Sequence, residues 1–177
     1  CIMGLVGENG AGKSTLIKLI LNMIRRDGGT VSLFGKSNQE HIELAKEDIG
    51  VVLDEVGISE CLNAVQTGKV MRRIFRNWDD AAYRKYLRML EIPEGKRFKD
   101  FSRGMKMKLG IAVALSHQAK LLLLDEATSG LDPVVRDEVT DLFAEFTRDE
   151  THAVLISSHI VSDLEKICDY IAFLHQG

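Results

Sequence analysis

Residues 7–15 read GENGAGKST, and the apolar run IMGLV at residues 2–6 leads directly into them. The stretch fits G-x-x-x-x-G-K-[ST], with Gly7, Gly12, Lys13 and Ser14 at the fixed positions. Strand, tight loop and helix follow in that order, so glycines let backbone N–H groups converge on phosphate oxygens, Lys13 reaches the outer phosphates and Ser14 can ligate Mg2+. A glycine-rich turn before a helix also occurs without any ligand, since glycine merely permits positive φ. Four constrained positions in this context are seldom met by chance. The loop reads as a cradle for a nucleoside triphosphate, and Asn9, Gly10 and Thr15 are assigned to the same binding surface.

The bulk properties set the frame around that loop. A chain of 177 residues holds one hydrophobic core, with room for a small lobe. Hydrophobic residues make up 45% and charged residues 28%, an ordinary globular balance that excludes disorder as a whole-chain description. The net charge of −3 gives no sign of a nucleic-acid surface, and no nucleic-acid partner is expected. LLLL at 121–124 meets two acids at once, and no apolar run reaches the roughly 18 residues of a membrane span. Cys1, Cys61 and Cys168 are odd in number and widely spaced, which fits reduced thiols in a cytosolic protein; Cys1, at the start of a strand-like run, is expected to be a small buried hydrophobe. Because the chain starts inside its first strand and stops just after another, it is expected to be incomplete at both ends.

Beyond the loop, Leu16, Leu19, Ile20 and Met23 predict a helical stripe closed by Gly28 and Gly29. TVSLFG predicts a short strand ended by Gly35, and DIGVVLD, 48–54, another ending in acids. Helices are predicted over 60–76 and 80–90, with Asp79 as an N-cap, inside a helical lobe set at approximately 55–100. FSRGMKMKLGIAVALSHQ begins as a turn and becomes a helix with Met105, Leu109, Ala112 and Val113 inward. Asp132 and Pro133 open a helix that buries Val135, Val139, Leu142 and Phe146. AVLISSH is a strand with a polar end, IVSDLEKI a short helix and DYIAFL a last strand. Strands alternating with helices predict an α/β fold with a mostly parallel sheet covered on both faces, and such sheets bind ligands beyond the carboxyl ends of their strands.

Three groups of polar residues fall at those strand ends. Asp125 follows LLLL, where an acid can hold Mg2+ through its hydration shell. Glu126 leaves the backbone in another direction and can polarise attacking water or accept its proton; adjacent acids that merely end a strand at solvent are the competing account. His159 can touch the γ-phosphate or hold the water and Glu126 in line, although a histidine after a strand is often only a surface or capping residue. His41, His117, His152 and His175 share no spacing and receive no metal role. In SRGMK, 102–106, Ser102 and Gly104 precede a helix and form a second anion site. One chain has no need of two triphosphate grips, whereas a dimer does, with each nucleotide between one subunit's Lys13 loop and the other's Ser102 turn. Trp78 with Arg72, Arg73 and Arg76 is either an amphipathic docking face or the cover of the lobe's own core.

Together and in this order, these motifs resemble the ATP-binding-cassette (ABC) ATPase subunits, and the resemblance spans essentially all of residues 1–177 as one nucleotide-binding domain. GENGAGKST resembles the family's Walker A loop, SRGMK its signature, LLLLDEATSGLDP its Walker B and D-loop, and His159 its switch histidine. The resemblance implies a P-loop NTPase core with an inserted helical subdomain, ATP and Mg2+ as cofactors, and ATP hydrolysis to ADP and phosphate. It further implies a head-to-tail dimer in which Ser102 and Gly104 complete the partner's site. A separate transmembrane permease would dock on the helical middle, placing the subunit in the cytoplasm, peripheral on the membrane's cytoplasmic face. The residues after Ser102 are similar to those of bacterial efflux-type ATPases, which points to export.

Two positions depart from the family pattern. Asp54, followed by Glu55, stands where the family places glutamine; either acid can meet the metal through water, so Asp54 joins Ser14 and Asp125 as a metal candidate, but a carboxylate cannot donate an amide hydrogen bond. Arg103 replaces a glycine of the signature and either assists phosphate binding or faces solvent. Two other readings remain open: a soluble ABC-type ATPase acting on ribosomes or DNA, and a regulator that binds ATP without turning it over.

Overall fold

Runs of apolar residues cannot stay in water, and those of this chain stack into one sheet. The computed structural model describes residues 1–38, 42, 45–128 and 131–177. In chain order its elements are β1 (Ile2–Val6), α1 (Lys13–Ile20), β2 (Ser32–Leu33), β3 (Lys36–Ser37), β4 (Ile49–Val52), α2 (Ala64–Ile74), α3 (Asp80–Met89), α4 (Arg103–Ala114), β5 (Leu121–Asp125), α5 (Pro133–Phe146), β6 (Ala153–Ser158), α6 (Val161–Glu165) and β7 (Tyr170–Phe173). His41, and Ser129 and Gly130 of the stretch read as a D-loop, lie outside the described residues.

The main sheet runs β4-β5-β6-β1-β7, and every pairing is parallel. Strand β5 is apolar at successive positions because helices cover both of its faces. Leu122 and Leu124 point into the larger core, with Met107, Leu109 and Ile111 of α4 and Val139, Leu142 and Phe143 of α5. Leu123 points the other way, onto Ile17 and Leu21 at α1. Each of these buried leucines contributes roughly 1.5–3 kcal/mol relative to an exposed one.

Several expectations change in detail. The buried residues at α1 are Lys13, Ile17 and Leu21; of the expected stripe, Ile20 is partly buried against that cluster, while Met23 lies past the helix end and is 57% exposed. The reason is at the first turn, where Lys13 is drawn inward by loop carbonyls and the residues four and eight positions later follow it. TVSLFG is half of a hairpin: β2 pairs antiparallel with β3 through Phe34 and Gly35, both at positive φ as a tight two-residue turn requires. In α4 the buried set is wider than the single stripe of the sequence reading, because Met107, Gly110 and Ile111 are also enclosed. In α5, Val139 and Leu142 are buried with Phe143, while Val135 and Phe146 are partly buried at the core's edge. Cys1 is exposed, since it precedes the first strand residue rather than belonging to it.

The helices of the middle segment start where their caps are. Asn63 and Gln66 make a reciprocal capping box on α2, and the Asp79 carboxylate accepts from the Ala81 and Ala82 amides at the start of α3. Gly68 lets the two helices touch: a Cβ there would stand 2.5 Å from the Tyr83 ring, whose hydroxyl donates to the Ala64 carbonyl at 2.8 Å. Trp78 donates to Asp80 at 2.9 Å and tilts against Tyr83, while Arg72 pairs with Asp80, so the tryptophan covers the lobe's own packing.

Candidate nucleotide site

The loop between β1 and α1 turns through Gly10 at φ 86° and Gly12 at φ 107°, a region open to glycine and strained for other residues. Gly7 is needed for space: a Cβ there would lie 2.5 Å from the Leu174 carbonyl oxygen. Lys13 is almost fully buried. Its Nζ donates to the carbonyls of Gly7 at 2.7 Å and Glu8 at 3.2 Å, and stands 3.4 Å from Glu126 Oε1.

Parallel pairing of β5 with β6 sets Asp125 opposite Ser157. The buried Ser157 hydroxyl donates to Asp125 Oδ1 at 2.6 Å and accepts from the Glu126 amide at 3.0 Å. Glu126 itself sits at φ 53°, a conformation costing a non-glycine residue about 1–3 kcal/mol, and the Ser157 contact helps to hold it there. Leaving the strand in this way, the Glu126 side chain is aimed back over the loop, where Oε2 meets His159 Nδ1 at 2.8 Å. Glutamate thus lies between a lysine and a histidine, one oxygen to each.

Lys13, Glu126 and His159 line a cleft of about 480 Å³ beyond the carboxyl ends of the strands, whereas Gly7 and the buried Asp125 are not among its lining residues. Asn9, Gly10, Gly12, Lys13, Ser14 and Thr15 form one wall; Glu126, His159, Asp54 and Arg103 form the rest. Asp54 is ion-paired with Arg103. Ser102 and Gly104 are not brought to this cleft. Ser102 caps α4, accepting from the Met105 amide at 3.3 Å, and both line a separate depression with Leu131 and Asp132.

The donor set suits magnesium better than a metal caged by protein alone. Among the described residues no group of three His, Cys, Asp or Glu side chains converges on one point. Ser14, which lines the cleft, and the buried Asp125 would offer a magnesium ion one hydroxyl and one carboxylate, the few protein oxygens that such an ion uses beside phosphate and water. Asp54 lines the same cleft, its carboxylate engaged by Arg103.

Sequence reasoning missed Ser157, whose role depends on strand register, and the reach of Arg103 to Asp54. His117 was weighed there only as a metal ligand and given no metal role. That ring is buried, stacked on Phe75 at 4.0 Å, with Nδ1 3.2 Å from the Val113 carbonyl and Nε2 3.1 Å from that of Ile49. Burial lowers its pKa, outweighing the opposite pull of the two carbonyls and of Glu47 and Asp48. The neutral ring donates to only one of the carbonyls.

A parallel sheet whose strand ends carry a glycine loop with a buried lysine, a buried aspartate and an adjacent glutamate defines a P-loop NTPase fold. Residues 1–129 match the family model described as ABC transporter, and the chain belongs to this family. The bacitracin transport ATP-binding protein BcrA of Enterococcus faecalis is 34% identical over 178 residues, covering 99% of this chain and 58% of BcrA. The lantibiotic transport ATP-binding protein SrtF of Streptococcus pyogenes is 33% identical, covering 99% of this chain and 76% of SrtF. The chain therefore spans 58% to 76% of the length of these two relatives. Among solved structures, an ATP-binding subunit of an ABC transporter superposes with a TM-score of 0.89 at 26% identity, over 99% of this chain and 75% of that one. A dimeric ATP-binding cassette bound to ADP and Pi shares the fold, with a TM-score of 0.86 at 19% identity over 99% of this chain and 82% of that one.

Proposed function

We propose that the chain is the Mg2+-dependent ATP-hydrolysing domain of an export system, working as a head-to-tail dimer on a separate transmembrane permease. The placement of Glu126 between Lys13 and His159, above the glycine loop, is the observation that carries this reading. An incoming triphosphate takes Lys13 away from Glu126. The freed carboxylate accepts a proton from water, His159 keeps it aimed, and attack on the γ-phosphorus releases ADP and phosphate. Ser14 and Asp125 would hold magnesium, which withdraws charge from the phosphate oxygens.

For the permease, the support is an apolar groove of about 580 Å³ between edge strand β4 and helix α2, lined by Leu53, Met71, Ile74, Phe75 and Val113. Ile74 is 58% exposed there, and a contiguous apolar surface marks a partner site. No helix among the described residues is long and apolar enough to cross a membrane, so the spanning part is assigned to another chain or segment. The relatives named for bacitracin and lantibiotic transport support a role in transport, for which export is proposed as the direction and the cytoplasmic face of the membrane as the place. Ser102 and Gly104, away from the Lys13 cleft, are left to complete the site of a second copy.

Glu126→Gln tests the reading. It keeps the size and shape of the side chain and removes the base, so ATP binding persists while turnover falls at least about 100-fold. Purified in detergent with ATP, the full protein carrying this change is expected as a dimer with a stoichiometric polytopic membrane protein. Comparable turnover in the variant refutes the base assignment, and recovery of ribosomes or nucleic acid instead refutes the permease.

A further inference from the structure

The basic residues near Trp78 are used neither by the nucleotide site nor, Arg72 apart, by the packing of the lobe. Between Glu60 and Asp79 the chain carries four cations, Lys69, Arg72, Arg73 and Arg76, and no acid. Residues 55–100 as a whole hold ten of the 23 lysines and arginines but seven of the 26 acids, so this part is positive in a chain whose net charge is −3.

The helical period puts that charge on one face. The buried residues of α2 are Ala64, Thr67 and Gly68, and at about 3.6 residues per turn Lys69 and Arg73 fall on the opposite side, both exposed. Val65 and Val70 flank them, each 39% exposed. Two acids reach the C-terminal end of the helix: Asp80 pairs with Arg72, and Glu47 accepts from the Arg76 amide at 3.1 Å. Among the described residues Lys69 and Arg73 have no ion pair. Helix stability does not account for them. Arg72 and Arg73 suit the negative end of the helix dipole, but Lys69 lies before the last turn, and like charges four positions apart weaken a helix.

We infer that the outward face of α2 is a contact surface for anionic lipid headgroups, laid against the bilayer when the neighbouring groove holds the permease. This rests on the proposed function, which brings the groove to the membrane. Met71 and Ile74 of the same helix line that groove, so a permease seated there sets α2 beside the bilayer. A negatively charged leaflet strengthens binding about fivefold for each Lys or Arg close to it, an attraction that fades within a Debye length. Because the buried side of α2 is already packed in the lobe, the contact is electrostatic and shallow. Alone it is weak, but on a domain tethered through the groove it acts at high effective concentration. Nucleic acid is the other polyanion such a face could meet. The nearby aromatic rings are engaged elsewhere, Phe75 stacked on His117 and Trp78 tilted against Tyr83, so neither is free to stack on a base.

Sedimentation with vesicles tests this surface without a permease. The full protein is expected to bind vesicles of phosphatidylcholine containing about 30% phosphatidylglycerol, to bind them less as salt rises, and to ignore phosphatidylcholine alone. Lys69→Gln, Arg73→Gln and Arg76→Gln together should weaken binding about 100-fold, at about fivefold for each charge, with the thermal midpoint and ATP affinity near those of the parent. Lys36→Gln, Arg148→Gln and Lys166→Gln remove the same charge from other elements and should weaken it less than about threefold. Arg73→Lys with Arg76→Lys keeps the binding, since the attraction reads charge. Equal losses in the two triple variants, or no preference for the anionic vesicles, overturn the inference and leave the nucleotide and permease readings standing. Tighter binding to a DNA duplex, lost in the same α2 variant, overturns it in favour of nucleic acid. A lipid preference lost only in the α2 variant, with no membrane protein recovered beside Glu126→Gln, overturns the permease and leaves the lipid surface.

Discussion

Ser157 carries no charge, yet it ties the two adjacent acids together, donating to Asp125 and accepting from the Glu126 amide. Ser157→Ala leaves one oxygen and one N–H of a buried site without this partner, which costs about 1–3 kcal/mol for each group left unsatisfied. Glu126 also loses a restraint on its positive φ. The expected outcome is a lower thermal midpoint together with a fall in turnover larger than the fall in ATP affinity; a variant that keeps its turnover would show that Glu126 is aimed by other means. His117 gives a prediction in pH. Its folded pKa lies below the 6.5 of a free imidazole, so its contribution to stability is complete above that value and is lost as pH falls through it toward the folded pKa. Thermal midpoints measured from pH 7.5 to 5 should fall, and His117→Phe, which keeps a ring against Phe75, should flatten that fall relative to the parent. Lys13, Asp125, Glu126 and His159 were legible in the sequence because each is fixed by its distance along the chain from a strand end. Ser157 was not, because its partners lie in the neighbouring strand 31 and 32 positions away. Arg103 and Asp54 are 49 positions apart and were read as two separate departures.

At the scale of elements, caps and glycines decide where helices begin and how closely they pack. Asp132 accepts from the Val135 amide at 3.1 Å and Pro133 follows at the first helical position, so both halves of the start signal for α5 were visible in the sequence. Asp132→Ala should cost about 1 kcal/mol, seen as a lower midpoint in denaturant with an unchanged slope. Gly68→Ala is different in kind. It adds one methyl group in the middle of α2, where helix propensity alone favours alanine by about 1 kcal/mol, but that methyl collides with the Tyr83 ring. Packing should win: the variant is expected to be destabilised by about 1–3 kcal/mol, and a gain in stability would mean that α2 and α3 can separate freely. The existence of these helices was legible from periodicity, whereas the faces they bury were less so. In α1 the anchor is a charged residue, Lys13, which a search for an apolar stripe passes over. The β2–β3 hairpin was read as one strand because its second half, Lys36–Ser37, has no apolar residue.

For the whole molecule, the alternation of strands and helices was enough to expect a parallel sheet, but the order β4-β5-β6-β1-β7 depends on crossovers that no local pattern records. That order has a functional consequence. It puts β4 at one edge of the sheet and the glycine loop toward the other, so the nucleotide cleft spans the sheet's carboxyl ends while the apolar groove opens beside β4. Asp54, on the chain leaving β4, lines the cleft, and Leu53 beside it lines the groove. A partner seated in the groove therefore lies one residue from a group facing the nucleotide. If this groove holds the permease, a charge placed there should break the assembly without unfolding the domain. Ile74→Asp is the suitable change, since Ile74 is 58% exposed and such surface substitutions usually alter stability by no more than about 0.5 kcal/mol. In the Glu126→Gln background with ATP, it is expected to abolish recovery of the membrane protein while the thermal midpoint stays near that of the parent. Undiminished recovery with a folded domain would place the permease contact on another face, and would sever the proposed link from the groove through Leu53 and Asp54 to the phosphates.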